Sequence, residues 1–344
     1  MATKRRGRLA MTLSGVVVVT VLVLGALALS GRGPASSLIS AISHNAPPPT
    51  CPLTGEPAPG GVVPQRPALA IKVENLPESR PQTGLNAADI VYEEPVEVFI
   101  TRFIAVYQCH GAPRVEPVRS VRLEDPDVLR QFGHPLLGYS GGVPKVKNKI
   151  RAAGIHDVNA VKEGQAYLRD SSRVEPHNLY TSTAALWKLA PKAEKAPDPI
   201  FTYSTKPPVA PREAWVHLPY SDYSDVYWRW SRAHRSWLRY HGTVPHTLSN
   251  GQQVHATNVV VQVVKVTLSR ITDVNGVHSP FAHVVGHGKA YVFRNGRMVV
   301  GTWSRPSLSD VTVFKDAHGD VIALNPGNTW VELFPSTLKV TYGK

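Results

Sequence analysis

Cysteine, methionine and acid are all scarce in this chain. It has 2 Cys and 3 Met, and its Asp and Glu together number only 25. Two cysteines cannot build a zinc site by themselves or a multi-bridge scaffold. Charged residues make up 18% of the sequence, too few for a chain kept disordered by charge. Familiar catalytic and nucleotide-binding signatures are missing as well. There is no P-loop, GxGxxG, GxSxG, HExxH or CxxC pattern, so no cofactor and no metal is expected. The nearest metal-like pair is His283 and His287, but the segment HVVGHG reads as strand, where that spacing suits surface or hydrogen-bonded histidines. No internal repeat occurs.

Basic residues outnumber acids, 38 against 25, for a net charge of +13. Four of them, Lys4, Arg5, Arg6 and Arg8, precede the first apolar run, and no acid comes before Glu56. Setting the four aside leaves 34 minus 25, or +9. A basic body suits an anionic surface as well as a nucleic acid. Residues 9–30 form a run of 22 uncharged, mostly apolar residues behind a KRRGR cluster. A spanning helix needs about 20 residues, and a signal-peptide core is shorter. Residues 1–31 therefore read as a signal anchor, with a cleaved signal peptide as the alternative. The basic flank stays cytoplasmic and the remainder lies outside. The expected location is the extracytoplasmic face of the cell membrane, or secretion after cleavage, and that location argues against a nucleic-acid partner. Residues 32–50, rich in Pro, Ser and Ala, read as a flexible stalk.

An exported chain permits a disulfide, and Cys51 and Cys109 are the two cysteines present. They read as a bridge or as two buried thiols. Lipidation is not expected at Cys51, because the apolar run ends LALSG with Gly31 where a lipid-carrying Cys would stand.

Apolar content of 42% over 344 residues supports a real core, and 30 Pro with 26 Gly favour strands and loops over helical bundles. Residues 51–190 mix strand-like runs (ALAIKVEN, FITRFIAVYQC, PLLGYSGG) with short helical segments at DPDVLRQF, PKVKNKIRAAG and TSTAALWKLA. In DPDVLRQF, Asp125 is the expected N-cap and Pro126 the first helical residue. Residues 191–211 hold six prolines and read as a linker or an extended crossover. Residues 212–344 show strand after strand, with Asn295-Gly296 as the strongest hairpin signal. The fold class is α+β, with a β-rich antiparallel second half.

Candidate site residues concentrate in the first half. Arg102 sits inside an apolar strand, PVRSVR supplies Arg119, Ser120 and Arg122, and LRDSSRVEPHNLY supplies Asp170, Arg173, His177, Asn178 and Tyr180. A buried arginine must pair or face a cavity, so these residues read either as a salt-bridge network or as a clamp for a carboxylate or phosphate. Glu94 or Asp170 with His177 would be the candidate acid/base pair. Ser140 in YSGG is a candidate nucleophile or ligand contact, although a tight-turn role explains the pattern too. The aromatic, basic stretch from Tyr220 to Tyr240 could offer stacking platforms for sugars, or could simply be core aromatics alternating with solvated arginines.

Taken in order, CPLTG, ENLPESRPQTGLNAADIVYEEPVE, ITRFIAVY, PVRSVR, YSGG, RDSSRVEPHNLY and, later, NVVVQ, GHGKAYVFRNGRMVVGTW and LNPGNTWVELFP resemble the YerB-like family of bacterial envelope lipoproteins. The resemblance covers roughly residues 51–340. It implies a layered β/α sandwich (51–190) followed by a β-rich domain (212–344), and it implies that the first-half polar motifs form one site. The chain departs from the family at the lipid box. It also reads EEPVEVFITR where a Gly-containing turn is expected just before the Thr-Arg pair. The functional expectation is a membrane-anchored envelope protein that binds an anionic or glycan ligand of the cell wall. A peptidoglycan- or glycan-modifying hydrolase and a scaffold for another envelope protein are the alternatives.

Overall fold

The structure, a computed structural model, describes residues 48–272 and 276–344. The expected signal anchor and most of the stalk fall outside the described residues. Among the described residues, no helix is long and apolar enough to cross a membrane.

Five strands come from the first half: β1 (Leu69–Glu74), β2 (Ile90–Pro95), β3 (Thr101–Tyr107), β4 (Leu136–Gly138) and β5 (His156–Asp157). A small hairpin, β6 (Tyr167–Arg169) with β7 (Leu179–Thr181), follows them. The later strands are β8 (Trp215–Ser221), β9 (Ser224–Ser231), β10 (Ser236–His241), β11 (Val244–Pro245), β12 (His255–Ala256) and β13 (Asn258–Val264). After them run β14 (Val266–Thr272), β15 (His278–Ala282), β16 (Gly286–Arg294), β17 (Arg297–Arg305), β18 (Val313–Asp316), β19 (Thr329–Pro335) and β20 (Thr341–Gly343). Among the described residues the short α-helices are α1 (Asp125–Leu129), α2 (Pro144–Ala152) and α3 (Thr183–Trp187).

The two halves share one sheet of ten strands, in the order β18-β17-β16-β13-β19-β2-β3-β1-β4-β5. The junction is parallel: β19 runs alongside β13 on one side and β2 on the other. Most other pairs are antiparallel. The period of two along each strand sends alternate residues to opposite faces. On β3, Phe103, Ala105 and Tyr107 enter one core, and Ile104 and Val106 enter the other. β2 and β19 do the same with Val91 against Ile90 and Tyr92, and with Trp330 and Phe334 against Val331 and Leu333. A sheet buried on both faces needs near-continuous apolar strands, which explains runs such as NVVVQVV. The first face is covered by the second sheet (β11-β10-β9-β8-β20, with β12), through Val216, Leu218, Val226, Trp228 and Trp237. The second face is covered by α1 and α2, through Val128, Leu129, Val146 and Ile150.

Several local features match the sequence pattern. Asn295 and Gly296 both have positive φ, 55° and 64°, and close the β16–β17 hairpin. Gly154, at φ 69°, follows α2, and the Ser182 hydroxyl caps α3 by accepting the Ala185 N–H. Cys51 and Cys109 form a disulfide, which ties the entry segment to the end of β3. Other details differ. Asp125 is not the N-cap of α1 but its first residue, with Glu124 before it. One Asp125 carboxylate oxygen accepts the Arg122 N–H, while the other is drawn to the Lys72 ammonium. NVVVQVVKVTL breaks at Lys265 into β13 and β14, which belong to different sheets. VIALN makes only isolated bridges, at Val321 and Leu324. The proline-rich 191–211 segment lies against the body: Ile200 is buried, and Tyr203 bridges to Leu324.

Candidate functional site

β1, β3 and β2 lie side by side, and their register sets Glu74 opposite Arg102 and Arg102 opposite Glu94. Directly opposed residues share a face, so one charged row crosses three strands. The chain returns along β1 at Val118, and the Arg119 N–H donates to the Lys72 carbonyl. That pairing brings PVRSVR to the same end of the sheet. The result is a cleft of about 770 Å³ lined by Arg102, Arg119 and Arg122. Its other walls are largely apolar and include Leu76, Val98, Ile100, Leu123, Val143 and Ile271.

The three arginines are not equivalent. Arg119 donates from Nε to Glu74 at 2.8 Å, and the other Glu74 oxygen meets His177 Nδ1 at 2.8 Å. Arg122 donates from Nη2 to Glu97 at 2.6 Å, and the Ser279 hydroxyl donates to the same carboxylate at 2.6 Å. Burial alone would raise Glu97, but Arg122 and Ser279 outweigh it and hold the carboxyl below its ordinary value. Arg102 is only 5% exposed. Its Nη1 donates to the Ser120 carbonyl at 3.1 Å, while its buried Nε has no partner. Among the described residues no carboxylate lies within ion-pair distance of it. Burial, and then the Arg122 and Arg119 guanidiniums, push it down to about 9. Three guanidiniums thus face two carboxylates, which leaves positive charge in a desolvated setting. Such a geometry is chemically suited to a carboxylate or phosphate.

The remaining predicted residues divide between other places. Asp170 pairs with Arg114, which also pairs with Glu116 and stacks on the Tyr180 ring at 3.9 Å. Arg173 donates to the Pro81 and Ser79 carbonyls. Asn178 accepts from Arg169 at 2.8 Å and holds the loop by donating to the Asp170 carbonyl at 3.3 Å. These four residues close a loop cluster and do not line the arginine cleft. The Ser140 N–H donates to the Arg119 carbonyl at 3.0 Å, in keeping with a turn role. Glu94 is fully buried and paired with Lys72. Burial and neighbouring Asp125 outweigh that pairing and push Glu94 up to about 8. No described hydrogen bond or ion pair joins any two of Glu94, Asp170 and His177, so the acid/base grouping is not assembled. The first-half motifs therefore divide between the arginine cleft, the loop cluster and the buried pocket of Glu94 rather than forming one site. The aromatic stretch divides: Tyr220, Trp228 and Trp237 are core residues, whereas Tyr223 is exposed and Tyr227, Trp230 and Tyr240 are half-buried. His283 Nε2 meets the Thr267 hydroxyl, and among the described residues no cluster could hold a metal.

Three partners of the cleft escaped the sequence reading. Glu74 is a charge inside an apolar run, the same signal that marks Arg102, and Glu97 is an acid in the segment just before β3. Ser279 gave no local signal, because it lies 182 residues from Glu97. A second cavity of about 660 Å³ holds His110 and Asp89. There the two groups satisfy each other at 2.6 Å, and the pairing raises His110.

The lip of the cleft is strained. Val98 has φ 59° and ψ 21°, and it is 62% exposed. A β-branched residue in this left-handed region costs about 1–2 kcal/mol. It stands in the EEPVEVFITR segment, where the sequence led us to expect a glycine. Val98→Gly is expected to raise the unfolding free energy by about 1 kcal/mol, read by urea denaturation. An unchanged or lower midpoint would contradict the strain.

Fold and cleft together define an α+β protein of two large sheets with an arginine-lined cleft, and comparison places it among known proteins. Residues 53–196 match the family described as "Protein of unknown function (DUF3048) N-terminal domain", and residues 216–331 match its C-terminal domain. The chain belongs to this family. It is 27% identical over 293 residues to the Bacillus subtilis (strain 168) protein named "Putative lipoprotein YerB", covering 83% of this chain and 86% of that one. The crystal structure of YerB from Bacillus subtilis superposes with a TM-score of 0.74 at 25% identity, over 86% of this chain and all of that one.

Proposed function

We propose that the protein is an extracytoplasmic, envelope-associated binding protein that captures a small anionic ligand in the arginine cleft. The observation that carries this reading is Arg102, buried without a carboxylate while its two neighbours are paired. The envelope setting rests on the N-terminal apolar run, the disulfide, and the lipoprotein designation of the Bacillus relative. Attachment in this chain runs through the apolar segment. Within the 344 residues both cysteines are consumed by the disulfide, so no thiol among them is free to carry a lipid.

A structural arginine and a ligand-binding one respond differently to removal. Binding residues are often held at a cost in stability. Arg102→Gln is therefore expected to weaken binding of inorganic phosphate or citrate at least about tenfold, as loss of a charge-assisted contact does, while raising the melting temperature. Calorimetric titration and thermal unfolding would check both. A variant that loses stability with unchanged anion affinity would make Arg102 structural and end the proposal.

A further inference from the structure

We infer that the ligand of the arginine cleft is amphipathic: a phosphate monoester carried on a single hydrocarbon chain. The inference rests on the anion-binding reading above and deepens it. The cationic end of the cleft is small, made by Arg102, Arg119 and Arg122. Facing it is an apolar wall from three separate parts of the chain: Val98 and Ile100 before β3, Leu123 before α1, and Ile271 on β14. An inorganic anion would use the guanidiniums and leave that wall wet. Val98 is especially telling, since a large apolar side chain stands exposed and strained at the lip. At about 770 Å³, the cleft lies in the range of pockets that enclose a small molecule, about 300–1,000 Å³. It therefore suits one head group and one chain. A phosphate matches the charge, because a monoester dianion can accept from several guanidinium N–H groups at once.

The test is a series of inorganic phosphate, methyl, butyl and octyl phosphate, with octanol as the uncharged control, titrated into the protein below micelle-forming concentrations. Affinity is expected to rise about threefold to fourfold for each methylene buried, and octanol should not bind. Arg102→Gln should weaken the whole series. Val98→Asn, which introduces a residue suited to positive φ, should flatten the dependence on chain length. Equal affinity along the series would overturn the inference and leave the anion reading standing. Failure of every phosphate to bind would overturn both.

Discussion

Arg239→Ala is expected to cost about 3–5 kcal/mol of stability, the loss found when one partner of a buried ion pair is removed. That is a large part of the about 5–15 kcal/mol that holds a domain folded. Arg239 stands on β10 of the smaller sheet, fully buried, and grips Glu93 on β2 of the larger sheet, with Nη2 at 2.8 Å and Nε at 3.2 Å from its oxygens. The register of β2 with β19 sets Glu93 directly opposite Glu332, also fully buried. Burial, and then the Glu93 charge, raise Glu332 well above the ordinary carboxylate value, even though Trp228 and Tyr220 donate to it. Without Arg239, two carboxylates would sit side by side with no cation between the sheets. His246 would also lose its donor; burial and Arg239 hold that ring neutral, and its Nε2 meets the Gln82 side-chain oxygen. Urea denaturation measures the effect. Exposed Arg229, opposite Leu238 and one strand-pair position away on β9, is the control, and Arg229→Ala should stay within about 0.5 kcal/mol. Arg239→Ala within that same range would show that the pair does not hold the sheets together.

The stability gap between Glu124→Gln and the parent is expected to widen in the variant's favour as the pH rises from about 5 to 8. Glu94, Glu124 and Asp125 share a fully buried pocket with one cation, Lys72. Neither Glu124 oxygen has a partner. Burial, and then the nearby Glu94 and Asp125, raise Glu124 well above 4.5, while Glu94 is pushed up to about 8. In the unfolded chain such groups release their protons near 4.5. Between that value and their folded values the native form of each group binds more protons, so the stability they contribute is complete below about 4.5 and declines as pH climbs toward 8. The slope for one proton is about 1.4 kcal/mol per pH unit. Glutamine cannot ionise, so the variant should match the parent at pH 4.5 and melt higher at pH 8. Thermal unfolding of both proteins across that range checks it; a variant that loses ground to the parent as the pH rises would contradict the sign.

This acid pocket shows how far the sequence could be read. Lys72 and Glu74 within ALAIKVEN, Glu93 and Glu94 within DIVYEE, and Arg102 within FITRFIAVY were all visible as charges in apolar runs. Their strands follow from the period-two pattern alone. Which charge meets which did not follow. Lys72 and Glu94 are neighbours because β3 lies between β1 and β2, and Glu93 faces Arg239 because it points the other way from Glu94. A shift of one residue in register would exchange the two environments. His177 and Asp170, seven residues apart in one loop, end on different partners, Glu74 and Arg114. Backbone contacts within the loop, not residue type, decide that separation.

The sequence by itself determined the strand-rich composition, the Asn295-Gly296 hairpin, the Gly154 stop after α2 and the only pair of cysteines that could bridge. Each depends on residues close together or on a count. The tertiary structure decided that both halves share one sheet through β19, that three arginines converge while one lacks a carboxylate, and that Arg239 lies between the sheets. The first and last depend on pairings between segments more than a hundred residues apart, as with β19 and β2 or Arg239 and Glu93, and the arginine cleft depends on the β1–β3 pairing and the return of the chain along β1. Such pairings are chosen by the packing of two apolar faces, which no local pattern encodes.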